Sequence, residues 1–200
     1  FGSGEYRIVK VFYCFSNGTS VLNPCISTIE EFSYQSGTEL EDVFAFPCSN
    51  NLYEIVVNAI GLDPLKYKII TKNGLSFIVD NNTNNIFTGL ENAIYEIEIE
   101  DLCENIIAFP IDISLLPSPS IESTDLCPGQ NGKLEAQAFS FVNYQWYKQG
   151  SPSTILSTTN FLNFNNFNPL TDSGIYVLQM STTNPTSCIN QTLQFEIKAS

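Results

Sequence analysis

In the stretch Tyr95-Glu96-Ile97-Glu98-Ile99-Glu100, apolar and acidic side chains alternate without a break. Successive side chains of an extended chain point to opposite faces, so this segment sets its apolar residues on one side and its carboxylates on the other. It reads as a half-buried β-strand, because a helical period would scatter the same apolar set around a cylinder. Further strands are predicted over 54–60, 66–71, 75–79, 132–139, 143–148, 175–180 and 192–198, with Gly, Asn, Asp and Pro clusters between them. Residues 161–167, which carry Phe161, Phe164 and Phe167, are predicted as one more strand that seals a core. No stretch carries a helical apolar stripe. Short strands separated by turn signals at roughly 8–12 residues indicate β-sandwiches, so the predicted class is all-β.

Charge and residue types remove whole classes of function. The 200 residues include 8 Lys and Arg against 21 Asp and Glu, and the formal net charge of -13 argues against nucleic acid or anionic lipid as a partner. Histidine is absent, which removes Ser-His-Asp and Cys-His catalysis, the HExxH zinc motif and imidazole pH sensing. The most apolar stretch, 106–116, is interrupted by Pro110 and Asp112. It is far shorter than the roughly 18 residues of a membrane span, so no membrane insertion is expected. No cofactor is implied, and the expectation is a protein that is not an enzyme. Carboxylates alone can hydrolyse glycosides, but sandwiches of this size seldom supply the cleft.

Three segments share one pattern. Gly4-Glu5-Tyr6-Arg7-Ile8, Ala93-Ile94-Tyr95-Glu96-Ile97 and Gly174-Ile175-Tyr176-Val177-Leu178 each start a strand that leads toward a cysteine and a second strand. Residues 1–36 therefore read as the closing hairpin of a preceding domain, 37–117 as a second sandwich and 118–200 as a third. Pro117-Ser118-Pro119-Ser120 is expected to act as a short stiff linker between the last two. In the first copy either Cys14 or Cys25 can be the equivalent of the later cysteines. Six widely spaced cysteines without CxxC pairs fit structural disulfides formed outside the cytosol. Pairing within each unit predicts Cys14 with Cys25, Cys48 with Cys103 and Cys127 with Cys188. Export from the cytosol is therefore expected.

Leu126-Cys127-Pro128-Gly129, Tyr144-Gln145-Trp146-Tyr147 and Leu170-Thr171-Asp172-Ser173-Gly174-Ile175-Tyr176 together resemble bacterial immunoglobulin-like domains. That resemblance implies a Trp on a central strand and a tyrosine corner at Tyr176, and hence tandem immunoglobulin-like β-sandwiches. Cys188 lies beyond the position of the second cysteine of antibody domains, where Leu178 stands. Lys66-Tyr67-Lys68-Ile69, Asn85-Ile86-Phe87-Thr88-Gly89-Leu90 and the run from Ala93 to Cys103 resemble the PKD-like repeats of gliding-motility adhesins of Bacteroidota, with Ala93-Ile94 and Leu102 departing from the usual glycines. This second resemblance implies type IX secretion, extracellular display at the cell surface and neighbouring repeats of the same polypeptide as partners; a ligand, whether surface glycan or protein, is left unidentified. The function expected is a non-catalytic stalk or adhesion segment. The alternative is a carbohydrate-binding accessory module of a secreted polysaccharide-degrading enzyme.

Candidate sites are few. Asp80, Asn82, Asn84 and Glu91 fall at ligand positions of an EF-hand-like calcium loop, but the sixth position, normally Gly, is Asn85. An Asn-rich hairpin turn explains the same residues, and both readings stand open. Residues 39–117 hold 13 acidic residues and 3 lysines. Within them Glu96, Glu98, Glu100, Asp101 and Glu104 form a one-sided row that reads as a solvated face discouraging edge pairing, or as a cation or basic-partner site. Tyr144 and Trp146 are expected in the core. Tyr147 points the other way and is the candidate sugar platform.

Overall fold

The computed structural model describes residues 4–16, 19–34, 37–124 and 126–198, with the backbone alone at 4, 12–16, 19–27 and 32–34. The chain starts with a long antiparallel hairpin, β1 (Gly4–Ser16) with β2 (Thr19–Tyr34). The side chains of Cys14 and Cys25 lie outside the described residues, and so does their predicted pairing.

Seven strands follow: β3 (Glu39–Pro47), β4 (Tyr53–Ile60), β5 (Lys66–Lys72), β6 (Leu75–Asp80), β7 (Ile86–Leu90), β8 (Ile94–Glu100) and β9 (Ile106–Asp112). They form two antiparallel sheets in the orders β3-β4-β7 and β6-β5-β8-β9. The acidic alternation becomes β8, whose Tyr95, Ile97 and Ile99 are buried while the glutamates face outward. Across the gap, Val43, Ala45, Ile55 and Val57 complete the same core.

Six more strands build a second sandwich: β10 (Ile121–Thr124), β11 (Gly132–Ala136), β12 (Asn143–Lys148), β13 (Phe161–Phe164), β14 (Gly174–Ser181) and β15 (Gln191–Ile197). Their sheets run β10-β11-β13 and β12-β14-β15. Lettered along the chain, both units follow one path, with A-B-E on one sheet and C-F-G on the other; the first adds a C′ strand, β6, at the edge. This is the strand order of immunoglobulin sandwiches, so the fold is all-β, built of tandem immunoglobulin-like β-sandwiches.

Trp146 sits on strand C with no exposed surface, and its indole Nε1 donates to the Thr159 carbonyl at 3.0 Å. The Tyr176 hydroxyl donates to the Asp172 carbonyl at 2.8 Å, which makes the tyrosine corner. The corner is primed by a single helical turn, α1 (Pro169–Asp172). Asn168 caps it by accepting from Leu170 N, and the Asp172 carboxylate accepts from Asn168 N in return. Such a turn is too short to show a stripe in sequence.

One expected strand is cut short. The run 161–167 stops at Phe164, because Asn166 takes a left-handed φ of 56° and turns the chain. Phe167 re-enters the core from the loop and meets Phe164 edge to face at 5.8 Å.

Candidate functional site

The two sandwiches meet on the outer face of sheet β3-β4-β7. On β4, Glu54, Ile55, Val56 and Val57 are all buried, so the period-two pattern is lost there. A strand buried continuously along its length is covered on both faces. Ile55 and Val57 point into their own sandwich, whereas Phe46 and Val56 belong to the core of the next one, with Phe139, Trp146 and Ile189. Phe139 meets Phe44 and Phe46 edge to face at 5.4 and 5.6 Å.

The polar part of the junction is carried by Glu54, only 5% exposed. Its Oε2 accepts from Ser187 Oγ at 2.6 Å and from Cys188 N at 3.0 Å. The β14–β15 loop is shaped beforehand to present these donors. Asn190 Oδ1 accepts from Thr182 N and Oγ1, Asn190 Nδ2 donates to the Asn184 carbonyl, and Asn184 Oδ1 accepts from Thr186 N. The sulfur of Cys188 is bonded to Cys48, in the β3–β4 loop, with the Cα atoms 5.2 Å apart across a separation of 140 residues.

This pairing corrects the expectation of disulfides closed within each unit. Cys48 is bonded to Cys188 and not to Cys103, and Cys127 and Cys103 are exposed free thiols. The within-unit pairing assumed that each sandwich stands apart, and a shared interface places the A–B loop of one beside the F–G loop of the next. The Pro-Ser segment is likewise no free spacer. The Pro117 carbonyl accepts from Ala45 N at 3.0 Å, and Pro119 is buried. Neither Glu54 nor Ser187 stood out in sequence. The available signal was a carboxylate beside Val56 on a strand with apolar residues at both parities.

The remaining candidates are engaged locally. Asp80 Oδ1 accepts from Asn82 N and Asn84 Oδ1 from Ile86 N, each two residues on, which is how side chains hold tight turns. Glu91 Oε2 instead pairs with Lys72 Nζ at 2.7 Å. The structure therefore does not bring Asp80, Asn82, Asn84 and Glu91 together on one ion. In the acidic row, Glu100 meets Lys66 at 2.6 Å and Glu98 meets Lys68 at 3.9 Å across the β5–β8 register. β8 is an interior strand, so the row does not guard an edge as the sequence suggested. The edges of that sheet are β6 and β9.

Asp101 leaves the row altogether. It is buried and accepts from Cys103 N, Asn105 N and Asn105 Nδ2 at 2.9 Å each. The Asn105 side-chain amide, with help from the backbone donors, holds its carboxyl below the ordinary value of 3.8, and burial only partly opposes this. Tyr144 and Trp146 are in the core as expected. The Tyr144 hydroxyl accepts from Phe139 N and donates to the Gln137 carbonyl, and burial pushes it above the ordinary phenol value. Tyr147 is half-buried on the opposite face of β12.

A cleft of about 480 Å³ opens beside the junction, lined by Phe44, Pro117, Ser118, Glu122, Glu135 and Asn160 among others. Its Glu135 is paired with Lys133, and Asn160 Nδ2 donates to the Ala136 carbonyl. Among the described residues, no three acidic or cysteine side chains converge as metal ligands, and no helix is long and apolar enough to cross a membrane.

No family model and no curated protein matches this chain. Among solved structures, it is similar to the N-terminal four Ig domains of Dscam1 isoform 1.9 at 10% identity and a TM-score of 0.29, covering 80% of this chain. The chain spans 41% of that molecule. It is also similar to the amphioxus IgVJ-C2 molecule, at 11% identity and a TM-score of 0.30, over 80% of this chain and 98% of the other. A chimeric titin Z1Z2-Z1Z2 tandem gives 12% identity and 0.26 over 73% and 90% of the two chains.

Proposed function

We propose that this chain is a non-catalytic spacer or adhesion segment of a large secreted surface adhesin, in which two sandwiches act as one stiff unit. The observation that carries this reading is the junction. Phe46 and Val56 of one sandwich complete the core of the other, Glu54 clasps the β14–β15 loop, and Cys48–Cys188 staples the two units. A hinge between sandwiches needs a small, polar interface and a free linker. Here the interface is apolar at its centre and the linker is hydrogen-bonded to β3. A chain built of such joints transmits force and projects whatever lies beyond it. The disulfide supports an oxidising, extracellular setting. The motif resemblance to repeats of gliding-motility adhesins supports display on a bacterial surface after type IX secretion, with neighbouring repeats as partners.

Small-angle scattering on the oxidised chain, compared with the Cys48→Ser/Cys188→Ser variant, tests the stiff-unit reading. A single rigid arrangement of residues 37–198 that broadens in the variant supports it. Freely varying angles in the oxidised chain would overturn it. Specific glycan binding that Tyr147→Ala abolishes would favour the accessory-module function instead.

A further inference from the structure

The cleft beside the junction is lined by three parts of the chain, and each is held in place. Phe44 comes from β3 of the first sandwich, Pro117, Ser118 and Ser120 from the connecting segment, and Glu122, Glu135 and Gln137 from β10, β11 and the residue that follows β11. The connecting segment is fixed to β3 by the bond from Ala45 N to the Pro117 carbonyl at 3.0 Å. Ala136 N donates to the Asn160 carbonyl and Asn160 Nδ2 to the Ala136 carbonyl, both at 2.9 Å, so Asn160 is tied to β11 twice. Phe44 is held edge to face by Phe139 at 5.4 Å. Walls fixed before a ligand arrives cost little ordering on binding, and about 480 Å³ lies within the range of small-molecule sites.

The polar groups of the lining are planar and mostly unengaged. Among the described residues, nothing pairs with the Glu122 carboxylate or the Gln137 side-chain amide. The Asn160 amide spends its nitrogen on Ala136 and keeps its oxygen. Acceptor oxygens therefore outnumber donors, which suits a ligand rich in hydroxyl groups. Phe44 and Pro117 add an apolar wall of the kind on which the C–H face of a sugar ring rests. Glu135 is neutralised by Lys133, so Glu122 is the one uncompensated charge of the lining and does not call for a cationic ligand. Acidic ligands are disfavoured, because residues 39–117 alone hold 13 acidic residues against 3 lysines. A peptide strand would need the free edge of β3, but the Pro117 carbonyl already takes Ala45 N, and Pro117 and Pro119 have no N–H to offer.

We propose that this cleft is a binding site for a neutral oligosaccharide, whose hydroxyl groups bond to Glu122, Gln137 and Asn160 while an apolar ring face rests against Phe44 and Pro117. The inference names the ligand class of the adhesion reading, and it rests on the stiff-unit reading for the fixed position of Phe44 relative to β10 and β11. The joint between the sandwiches then does two things: it transmits force, and it completes a site that neither sandwich forms alone.

The test screens the full oxidised chain on an array of neutral, uronic-acid and glucosamine oligosaccharides, with a lysine-rich peptide beside them, and measures each binder by titration calorimetry. Neutral members should bind, and Glu122→Ala and Gln137→Ala should each weaken them by about tenfold, the effect of one or two lost hydrogen bonds. Neither change should move the melting temperature, since neither side chain is bonded to the rest of the chain. Glu122→Gln keeps a planar acceptor and should bind within about threefold of the parent, and Tyr147→Ala should bind as the parent does. The proposal is overturned if no neutral member binds, if binding is confined to the acidic or amino members or to the peptide, if both cleft variants bind like the parent, or if Tyr147→Ala abolishes binding. Scattering of the ligand-free chain is read separately: a single rigid arrangement without sugar binding refutes the site and keeps the stiff unit, whereas freely varying angles refute the stiff unit itself.

Discussion

Truncating Glu54 to alanine should loosen the joint between the sandwiches while leaving the disulfide in place. The side chain is 5% exposed and gives one oxygen to two donors, Ser187 Oγ at 2.6 Å and Cys188 N at 3.0 Å. Hydrogen bonds to a charged acceptor contribute about 1.5–3 kcal/mol each in net terms. The unpaired donors regain some water at the rim of the loop, and the cost of burying the carboxylate is recovered. The expected net loss is therefore about 2–4 kcal/mol, toward the low end of two such bonds. For a chain of this length that lowers Tm by about 5–15 °C. Glu54→Gln keeps a neutral oxygen acceptor and should cost only about 1 kcal/mol. Calorimetry on both variants, with a double-mutant cycle through Ser187→Ala, reads the effect directly. The cycle should return a coupling of about 1 kcal/mol or more, as expected of groups in direct contact. If Glu54→Ala melts with the parent chain, or its effect adds fully to that of Ser187→Ala, the clasp is not what holds the loop.

Two further outcomes are expected. Tyr176→Phe removes the 2.8 Å bond to the Asp172 carbonyl but keeps the ring against Phe164, so urea unfolding should show a loss of about 1–2 kcal/mol; no loss would mean that the corner contributes shape alone. Asp101 has a carboxyl held below 3.8 in the folded chain, so its stabilisation is present above that value and is lost as pH falls through the lower folded value. Stability measured from pH 5 downward should therefore fall less steeply in Asp101→Asn than in the parent, and equal slopes would refute the assignment.

Much of the fold was legible because strand periodicity is local. Tyr95, Ile97 and Ile99 point one way and the glutamates between them the other whatever surrounds them, and the Trp146 and Tyr176 motifs placed two core strands. The Phe161–Phe167 run misled for an equally local reason: Asn166 reverses the chain within an apolar stretch, and Phe167 is buried from a loop that the pattern could not separate from a strand.

The candidate site was the least legible part. Glu54 looks in sequence like the solvated member of an alternating strand, and only the docking of the second sandwich turns its face inward. The cysteines show the division most plainly. Their number and spacing indicated disulfides, but which thiols meet depends on loops at opposite ends of the chain being brought within bonding distance, and no local pattern encodes that. The amino-acid order alone determined the β-strands and their inward faces, since these follow from side-chain direction residue by residue. Tertiary packing alone decided that the sheet β3-β4-β7 is covered on both faces, that Cys48 pairs with Cys188, and that Cys103 and Cys127 are left open, because burial of a second face is a property of two surfaces and not of one strand.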